Sequence, residues 1–345
     1  QPNALSNTIE GRIQDGEVTL ESFPDGAFDD VEDVHLVACG TSYHAAMYCQ
    51  QQLADAGIRA QSYRASEYVD SNPGPVTEET LVVAVTQSGE TADTLGALKQ
   101  AKDAGAQVVT VTNVVGSTAA RTADEALFIR AGPEIGVAAT KTFSSQAVTL
   151  SLLAIRIAED VPGASPPDDV DELLDEVYDL PQYVDQVLKT SDARAIAESY
   201  IDSQSYFFIG RGLSNAVAKE GALKFKEITY EHAEGFASGE LKHGPLALVT
   251  PETPVFTLFT GDGDGKTLKN AEEAQARGAP IVAVANDGHS GADIADAHLE
   301  IPDMHPVWAG LLANVQLQLV SYYAAHLLGR PIDKPRNLAK SVTVE

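Results

Sequence analysis

Two stretches of this sequence repeat one order of strand-like runs, glycine turns and helical patterns, and this repeat limits the fold more than any other feature. In the first stretch the strand-like runs lie at 35–39, 59–64, 80–85, 107–112 and 126–130, before a long helical pattern at 139–159. In the second they lie at 205–209, 254–259, 280–285 and 298–301, before a long helical pattern at 307–328. Such alternation is typical of βαβ units and a parallel sheet. We therefore predict a duplicated α/β fold in which each copy is a doubly wound, flavodoxin-like sandwich.

A short linker separates the two copies. Residues 161–169 are rich in Pro, Gly and Asp, which favour turns over regular structure. The predicted domains are residues 1–160, which begin with a helical lead-in, and residues 170–330, which begin with helical stretches at 170–188 and 193–201. Residues 331–345 form a polar tail without a clear period.

The charge of the chain excludes some partners. Lys and Arg total 23 against 50 Asp and Glu, so the formal net charge is −27. A chain this acidic is a poor partner for nucleic acid or for an anionic membrane, and no apolar stretch is long enough for a transmembrane helix. The acidic residues are spread along the chain. This spread favours adaptation to concentrated salt, and an acidic mesophilic enzyme is the alternative.

The cysteine content and the N-terminal region indicate a cytoplasmic protein. Cys39 and Cys49 are too few for a disulfide framework. No CxxC motif or Cys/His cluster suggests a metal site, and no secretory signal is visible.

Hydroxyl and amide side chains follow two of the predicted strands. Residues 86–91, Thr-Gln-Ser-Gly-Glu-Thr, link a buried strand to a helix, and Thr41 and Ser42 follow the first strand. Ligands of parallel sheets bind outside the carboxyl ends of the strands, and helix N-termini bind anions. These residues predict a phosphate site without a Walker lysine. The alternative is that they are ordinary helix N-caps.

Other candidate residues have weaker local signals. Lys224 and Glu227 share a helix face at a spacing of i, i+3 and are suited either to proton transfer or to a surface ion pair. His243 lies in a glycine-rich loop and can exchange protons near neutral pH, although a lone loop histidine is more often structural. Lys340 lies in the tail, where a lysine is normally a solvated charge; a Schiff base requires a partly desolvated amine beside a carbonyl.

As a set, these motifs resemble the isomerase domain of the glutamine–fructose-6-phosphate aminotransferase family over essentially the whole chain. The matching segments of the first half are 38–42 (Ala-Cys-Gly-Thr-Ser), 87–95 (Gln-Ser-Gly-Glu-Thr-Ala-Asp-Thr-Leu) and 134–138 (Glu-Ile-Gly-Val-Ala). Those of the second half are 220–224 (Glu-Gly-Ala-Leu-Lys), 232–234 (His-Ala-Glu), 239–245 (Gly-Glu-Leu-Lys-His-Gly-Pro) and 335–345 (Pro-Arg-Asn-Leu-Ala-Lys-Ser-Val-Thr-Val-Glu). The resemblance implies two tandem sugar-isomerase (SIS) domains with an irregular catalytic tail.

The resemblance also implies roles for individual residues. Lys340 would form a Schiff base with the open-chain ketose, Glu227 would move a proton between C1 and C2, and Lys224 would assist it electrostatically. His243 would open the sugar ring from the neighbouring subunit, which implies a homodimer at least. The implied substrate-binding residues are Thr41, Ser42, Thr86, Gln87, Ser88, Thr91 and Val137. The implied chemistry, from fructose 6-phosphate and ammonia to glucosamine 6-phosphate, needs no metal and no diffusible cofactor.

The sequence departs from the family pattern at several points. Thr86 and Ala139 stand where members commonly have Ser, which affects fine specificity. Residue 1 is Gln, whereas the family's glutaminase domain uses an N-terminal Cys nucleophile. We therefore expect a chain without that domain, supplied by free ammonia or by a separate glutaminase domain.

Two other functions stay open. One is a non-amidating sugar-phosphate isomerase or deglycase of the same superfamily, against which the Lys340 motif argues. The other is a non-catalytic regulator that binds sugar phosphates. A regulator needs the phosphate site but has no need of Glu227, His243 and Lys340 together.

Overall fold

The computed structural model describes residues 1–20, 23–70, 74–261 and 263–341. The lead-in consists of helix α1 (Pro2–Ile9) and a two-stranded antiparallel hairpin, β1 (Ile13–Gln14) and β2 (Glu17–Val18). Arg12 fastens this lead-in to the first domain, since its guanidinium donates to Thr149 Oγ1 at 2.8 Å and to the Phe128 carbonyl. Burial lowers the pKa of Arg12 to about 10.

The first sheet has five parallel strands in the order β4-β3-β5-β6-β7. Its strands are β3 (Asp33–Ala38), β4 (Ala60–Arg64), β5 (Thr80–Thr86), β6 (Gln107–Thr112) and β7 (Glu125–Phe128). Its helices are α2 (Gly40–Asp55), α3 (Ala65–Tyr68), α4 (Ala92–Asp103), α5 (Thr118–Thr122) and α6 (Lys141–Asp160). Every residue of β5 is buried, as expected for a central parallel strand that is covered on both faces.

The second sheet repeats the first, with five parallel strands in the order β12-β11-β10-β8-β9. Its strands are β8 (Ser205–Gly210), β9 (His232–Ala237), β10 (Val255–Leu258), β11 (Ile281–Asn286) and β12 (Ala297–Ile301). The helices are α7 (Val170–Glu176), α8 (Leu180–Thr190), α9 (Ala193–Tyr200), α10 (Leu213–Thr229), α11 (Asp264–Gln275), α12 (Ser290–Asp293) and α13 (Pro306–Leu327). Two 3₁₀ segments, Ser238–His243 and Pro245–Leu248, follow β9. The predicted duplicated, doubly wound α/β fold is confirmed.

Two details of the prediction were wrong. The helical stretch expected at 170–188 is two helices, because the chain turns at 177–179 and resumes with Pro181 in the first turn of α8. Strand β9 was not predicted. It pairs in parallel with β8 and completes the second sheet.

One continuous core joins the two halves. Its buried residues include Leu36 of β3, Leu152 of α6, Phe208 of β8 and Leu312 of α13. Tyr48 of α2 donates its hydroxyl to the Val307 carbonyl at 2.6 Å. The packing of α2 against α10 places the carboxyl edge of the first sheet beside a helix of the second half.

Residues 161–169 contain no helix or strand, and neither does the described part of the tail, 331–341. The last four residues of the predicted tail, 342–345, lie outside the described residues. Among the helices that the structure describes, none has the length and apolar character that crossing a membrane requires.

Candidate active site

A cavity of about 260 Å³ lies at the carboxyl end of β3 and β5, between α10 and the tail. It is lined by residues from both halves of the chain, so the duplication builds one site from two domains. The predicted site residues that line it are Thr41, Ser42, Thr86, Gln87, Ser88, Thr91, Val137, Lys224, Glu227 and Lys340. All predicted residues except His243 are therefore brought together around one space.

The loop between β5 and α4 forms the hydroxyl-rich end of the cavity. The Gly89 backbone N–H donates to Thr86 Oγ1 at 3.2 Å, and the Glu90 N–H donates to Ser88 Oγ at 3.2 Å. Thr91 is the N-cap residue of α4, yet its side chain makes no capping hydrogen bond. The interpretation of Thr91 as an ordinary cap therefore fails, and its hydroxyl lines the cavity at the positive end of a helix.

Gly89 lies in this loop with a left-handed backbone conformation, which glycine adopts more easily than other residues. Its φ is +67°, and a Cβ built on it would lie 2.1 Å from Ser117 Oγ. The residue has to be glycine for both reasons. Gln146 Nε2 donates to Ser42 Oγ on the neighbouring helix at 2.9 Å, the shorter of two contacts between these side chains, so the Ser42 hydroxyl has a fixed place at the cavity wall.

Lys224 is a buried cation between two carboxylates. Its ammonium lies 2.5 Å from Glu227 Oε2 and 3.5 Å from Glu220 Oε1, and its side chain is 3% exposed. Burial alone would lower the pKa of Lys224, but the charges of Glu220 and Glu227 raise it above its usual value. Lys224 therefore stays charged beside Glu227.

Lys340 reaches the cavity from the tail and contacts the loop that precedes α6. Its ammonium donates to the Gly136 carbonyl at 2.7 Å and lies 3.5 Å from Glu134 Oε2. Burial would raise the pKa of Glu134, but hydrogen bonds from Thr142 and Thr140 and the charge of Lys340 lower it below its usual value. An ionised Glu134 therefore holds the tail lysine at the cavity.

The tail is fixed at further points by contacts with the loop and with α10. The Val137 N–H donates to the Asp333 carbonyl at 3.0 Å. The Arg336 N–H donates to the Tyr230 hydroxyl at 2.8 Å, and the Arg336 guanidinium lies 4.4 Å from the centroid of that ring. These contacts place an otherwise irregular segment beside the cavity.

His243 lies apart from these residues. It ends the first 3₁₀ segment, is exposed, and does not line the cavity of its own chain.

Sequence reasoning gave no role to three residues of this region. Glu220 and Glu134 belong to the matched segments, and His44 lies one turn after Thr41. The available signal for Glu220 was an acidic residue among Ala, Gly, Val and Leu in one helix, since such a carboxylate becomes buried and then requires partners.

A larger cleft of about 760 Å³ lies at the amino end of the first sheet. Its lining includes the acidic residues Asp29, Asp30, Glu32, Glu78 and Glu79 with one cation, Arg59. None of the candidate residues lies there, and a cleft with such a lining repels phosphate, so the smaller cavity is the candidate site. Within the part of the chain that the structure describes, no group of three or more His, Cys, Asp or Glu is placed to hold a metal ion.

Comparisons with known proteins agree with this geometry. The SIS domain family model matches residues 28–156 and 199–328. The chain is 49% identical to the glutamine–fructose-6-phosphate aminotransferase (isomerizing) of Halobacterium salinarum, over 100% of this chain and 58% of that protein. It is 46% identical to the protein of the same name from Methanosarcina mazei, over 100% of this chain and 57% of that protein. The chain thus spans somewhat over half the length of these curated relatives.

Comparison with solved structures finds the same fold in two related proteins. The C-terminal domain of glucosamine-fructose-6-phosphate aminotransferase from Francisella tularensis superposes with a TM-score of 0.89 at 35% identity, over 97% of this chain and 96% of that one. Glucosamine-6-phosphate deaminase from Thermotoga maritima superposes with a TM-score of 0.73 at 25% identity, over 90% and 91% of the two chains.

Proposed function

The chain belongs to the SIS domain family, and from this premise we propose that it is the isomerase part of a glutamine–fructose-6-phosphate aminotransferase. It converts fructose 6-phosphate and ammonia to glucosamine 6-phosphate. The observation that carries this proposal is that an amine (Lys340), a carboxylate (Glu227) and a hydroxyl-rich loop line one cavity. A regulator that only binds sugar phosphates has no use for the first two.

The phosphate of the substrate binds at the loop between β5 and α4. Ser42, Gln87, Ser88 and Thr91 supply neutral hydrogen-bond donors, and the N-terminus of α4 supplies a favourable dipole. Thr86 accepts the Gly89 N–H within this loop and so holds its shape. Thr41 and Val137 lie nearer Lys224 and the tail, and they contact the sugar.

The chemical steps use the opposite end of the cavity. After ring opening, the Lys340 amine adds to the C2 carbonyl, and loss of water gives an imine. Ammonia then adds to C2, and the Lys340 amine leaves. Glu227 takes the proton from C1 and returns it to C2, while the C1 hydroxyl loses its proton and the nitrogen gains one, so that C1 becomes an aldehyde and C2 carries the amine. Lys224 assists Glu227 electrostatically from a distance of 2.5 Å.

Ring opening requires a further acid–base group, since Glu227 and Lys340 are used in the later steps. We assign it to His243 of the partner subunit, so the working unit is a homodimer. The exposure of His243 on its own chain supports this assignment. Nitrogen comes from ammonia, either free or delivered by a glutaminase domain, and the reaction takes place in the cytoplasm. Neither nucleic acid nor a membrane takes part.

Product analysis tests the proposal. The chain is incubated in molar KCl with fructose 6-phosphate and ammonium, with glutamine instead, or with neither. We expect glucosamine 6-phosphate with ammonium. Glucose 6-phosphate alone in every sample would support the non-amidating isomerase, and binding without conversion would support the regulator.

Replacement of Lys340 tests the imine. We expect borohydride to reduce a covalent adduct between the wild-type chain and fructose 6-phosphate, which mass spectrometry locates at Lys340. Lys340→Ala loses the adduct and turnover but still binds the sugar phosphate, because the phosphate loop is untouched. The matched control is Lys141→Ala, since the Lys141 ammonium lies near the site but donates to the Pro133 carbonyl. Turnover in Lys340→Ala at the wild-type rate would refute the assignment.

A further inference from the structure

His44 and Glu220 form a buried pair directly behind the proposed active site. His44 Nδ1 lies 2.8 Å from Glu220 Oε2. Glu220 is fully buried and the His44 side chain is 14% exposed. Neither residue lines the cavity, so neither touches the substrate. Their position between α2 and α10 nevertheless links them to groups that do line it.

Glu220 fixes the direction of the hydrogen bonds at Thr41. Lys224 Nζ donates to Thr41 Oγ1 at 2.8 Å, and Thr41 Oγ1 donates to Glu220 Oε1 at 3.0 Å. An ammonium has no acceptor and a carboxylate has no proton to donate, so this order cannot be reversed. The one hydroxyl proton of Thr41 is therefore committed to Glu220. Towards the cavity Thr41 can only accept a hydrogen bond, and its sugar contact must be a hydroxyl donor.

The same network surrounds Lys224. Its ammonium donates to Thr41 Oγ1 and lies 2.5 Å from Glu227 Oε2 and 3.5 Å from Glu220 Oε1. Lys224 thus acts on Glu227 by position and charge. Its orientation depends on Thr41 and Glu220, and the second oxygen of Glu220 depends on His44.

We infer that His44 is a positioning residue for the proton transfer. It holds the Glu220 carboxylate, which orients Thr41 and Lys224 and so aligns Glu227 with C1 and C2. This inference rests on the proposed function for its chemical step. The placement of Lys224 by His44 does not depend on the identity of the substrate.

Two replacements of His44 separate positioning from simple packing. His44→Leu fills the space without a donor, and we expect kcat to fall by about 10–100-fold, as for other groups that orient an active-site residue, with KM changed by less than about threefold. In His44→Asn an amide N–H can reach Glu220, so we expect kcat within about threefold of wild type. His305→Ala is the matched control. His305 is 10% exposed and lies 3.2 Å from Asp169 away from the cavity, so its loss should lower the unfolding temperature without changing kcat.

A second measurement needs no turnover. Ammonium protons that are buried and hydrogen-bonded exchange slowly with water, so Lys224 should give a visible ammonium signal in ¹⁵N–¹H spectra. We expect this signal to persist in His44→Asn and to disappear in His44→Leu.

The outcomes are distinguishable. If the wild-type chain makes no product, the proposed function fails and the ammonium signal alone decides the placement of Lys224. If the wild-type chain is active and His44→Leu keeps kcat within about twofold, or if the Lys224 signal is unchanged in that variant, the inference is overturned.

Discussion

At the scale of single residues, the phosphate loop depends on Gly89 more than on any one of its hydroxyl groups. An alanine there has two costs. Its left-handed backbone conformation is strained by about 1–2 kcal/mol, and its Cβ would lie only 2.1 Å from Ser117 Oγ. We expect Gly89→Ala to weaken the binding of fructose 6-phosphate by at least about tenfold, which corresponds to about 1.4 kcal/mol. Isothermal titration calorimetry of the chain with fructose 6-phosphate measures this change.

Gly116 provides the control for Gly89. Its φ is +73°, but a Cβ there would meet nothing within 4 Å. Gly116→Ala should therefore cost backbone strain alone and leave binding near the wild-type value. Equal loss of binding in both variants would show that strain, and not the contact with Ser117, governs the loop.

The residues of the site differ in how well the sequence predicts them. The hydroxyls at 86–91 follow an apolar strand, and that local pattern was enough to predict that they lie at the same sheet edge as Thr41 and Ser42, where all of them line one cavity. Glu220 and His44 are 176 positions apart in the chain and meet only because α2 packs on α10. No local sequence pattern predicts a contact between residues so far apart. The sequence therefore could not predict that His44 and Glu220 position Lys224.

At the scale of secondary-structure elements, α10, which carries Glu220, Lys224 and Glu227, packs very close to α13. Gly221 makes this close approach possible, since a Cβ there would lie 2.3 Å from Leu317 Cδ1. Leu317 is fully buried, and closely packed interiors resist added volume. We expect Gly221→Ala to lower the free energy of unfolding by about 1–3 kcal/mol, measured by urea denaturation.

Gly221→Ala should also lower kcat, and by more than its loss of folded protein explains. The added methyl group shifts α10 and so displaces Lys224 and Glu227, which lie on the following turns. Gly265→Ala is the matched control in α11, where a Cβ would meet nothing within 4 Å. Alanine has the higher helix propensity, so that change should be neutral or stabilising by up to about 1 kcal/mol. An unchanged unfolding free energy in Gly221→Ala would contradict the packing argument.

Strand β9 shows why one element was not predicted. Its sequence, His-Ala-Glu-Gly-Phe-Ala, contains Ala, Glu and Gly, which are depleted in strands. Gly235 is required there, because a Cβ would lie 2.5 Å from the Lys219 Cα of α10. The segment is a strand because it pairs with β8 and packs against α10. Both are contacts with distant parts of the chain, so its own sequence does not reveal them.

At the scale of the whole molecule, the two copies of the fold differ at the carboxyl edges of their sheets. Gly212 at the start of α10 has the same φ, +55°, as Gly40 at the start of α2. In the second copy, however, Ser214 and Thr260 bond to each other, and the Gly261 N–H donates to the Asp264 carboxylate at 3.0 Å. The corresponding cavity is only about 120 Å³. Among the described residues a carboxylate already uses a backbone donor there, so the proposed function places the sugar phosphate at the first copy, and the second contributes α10 and the tail.

The charge of the whole chain leads to the last prediction, since self-repulsion at a net charge of −27 opposes folding in dilute salt. Residues 168–179 illustrate the cause with seven acidic residues and no Lys or Arg. Screening over about 3 Å at 1 M salt removes most of this repulsion. We expect the unfolding temperature to rise by more than about 4 °C from 0.1 to 2 M KCl, or about 1–2 kcal/mol.

Calorimetry in KCl and in sucrose of equal osmolality separates charge screening from solute exclusion, which also stabilises folded proteins. A variant with Asp168, Asp171 and Asp175 replaced by Asn should show a smaller rise in KCl and an unchanged rise in sucrose, because fewer like charges remain to be screened. If sucrose raises the unfolding temperature as much as KCl does, the acidic surface is not an adaptation to salt. The chain would then be an ordinary acidic enzyme whose charge serves solubility.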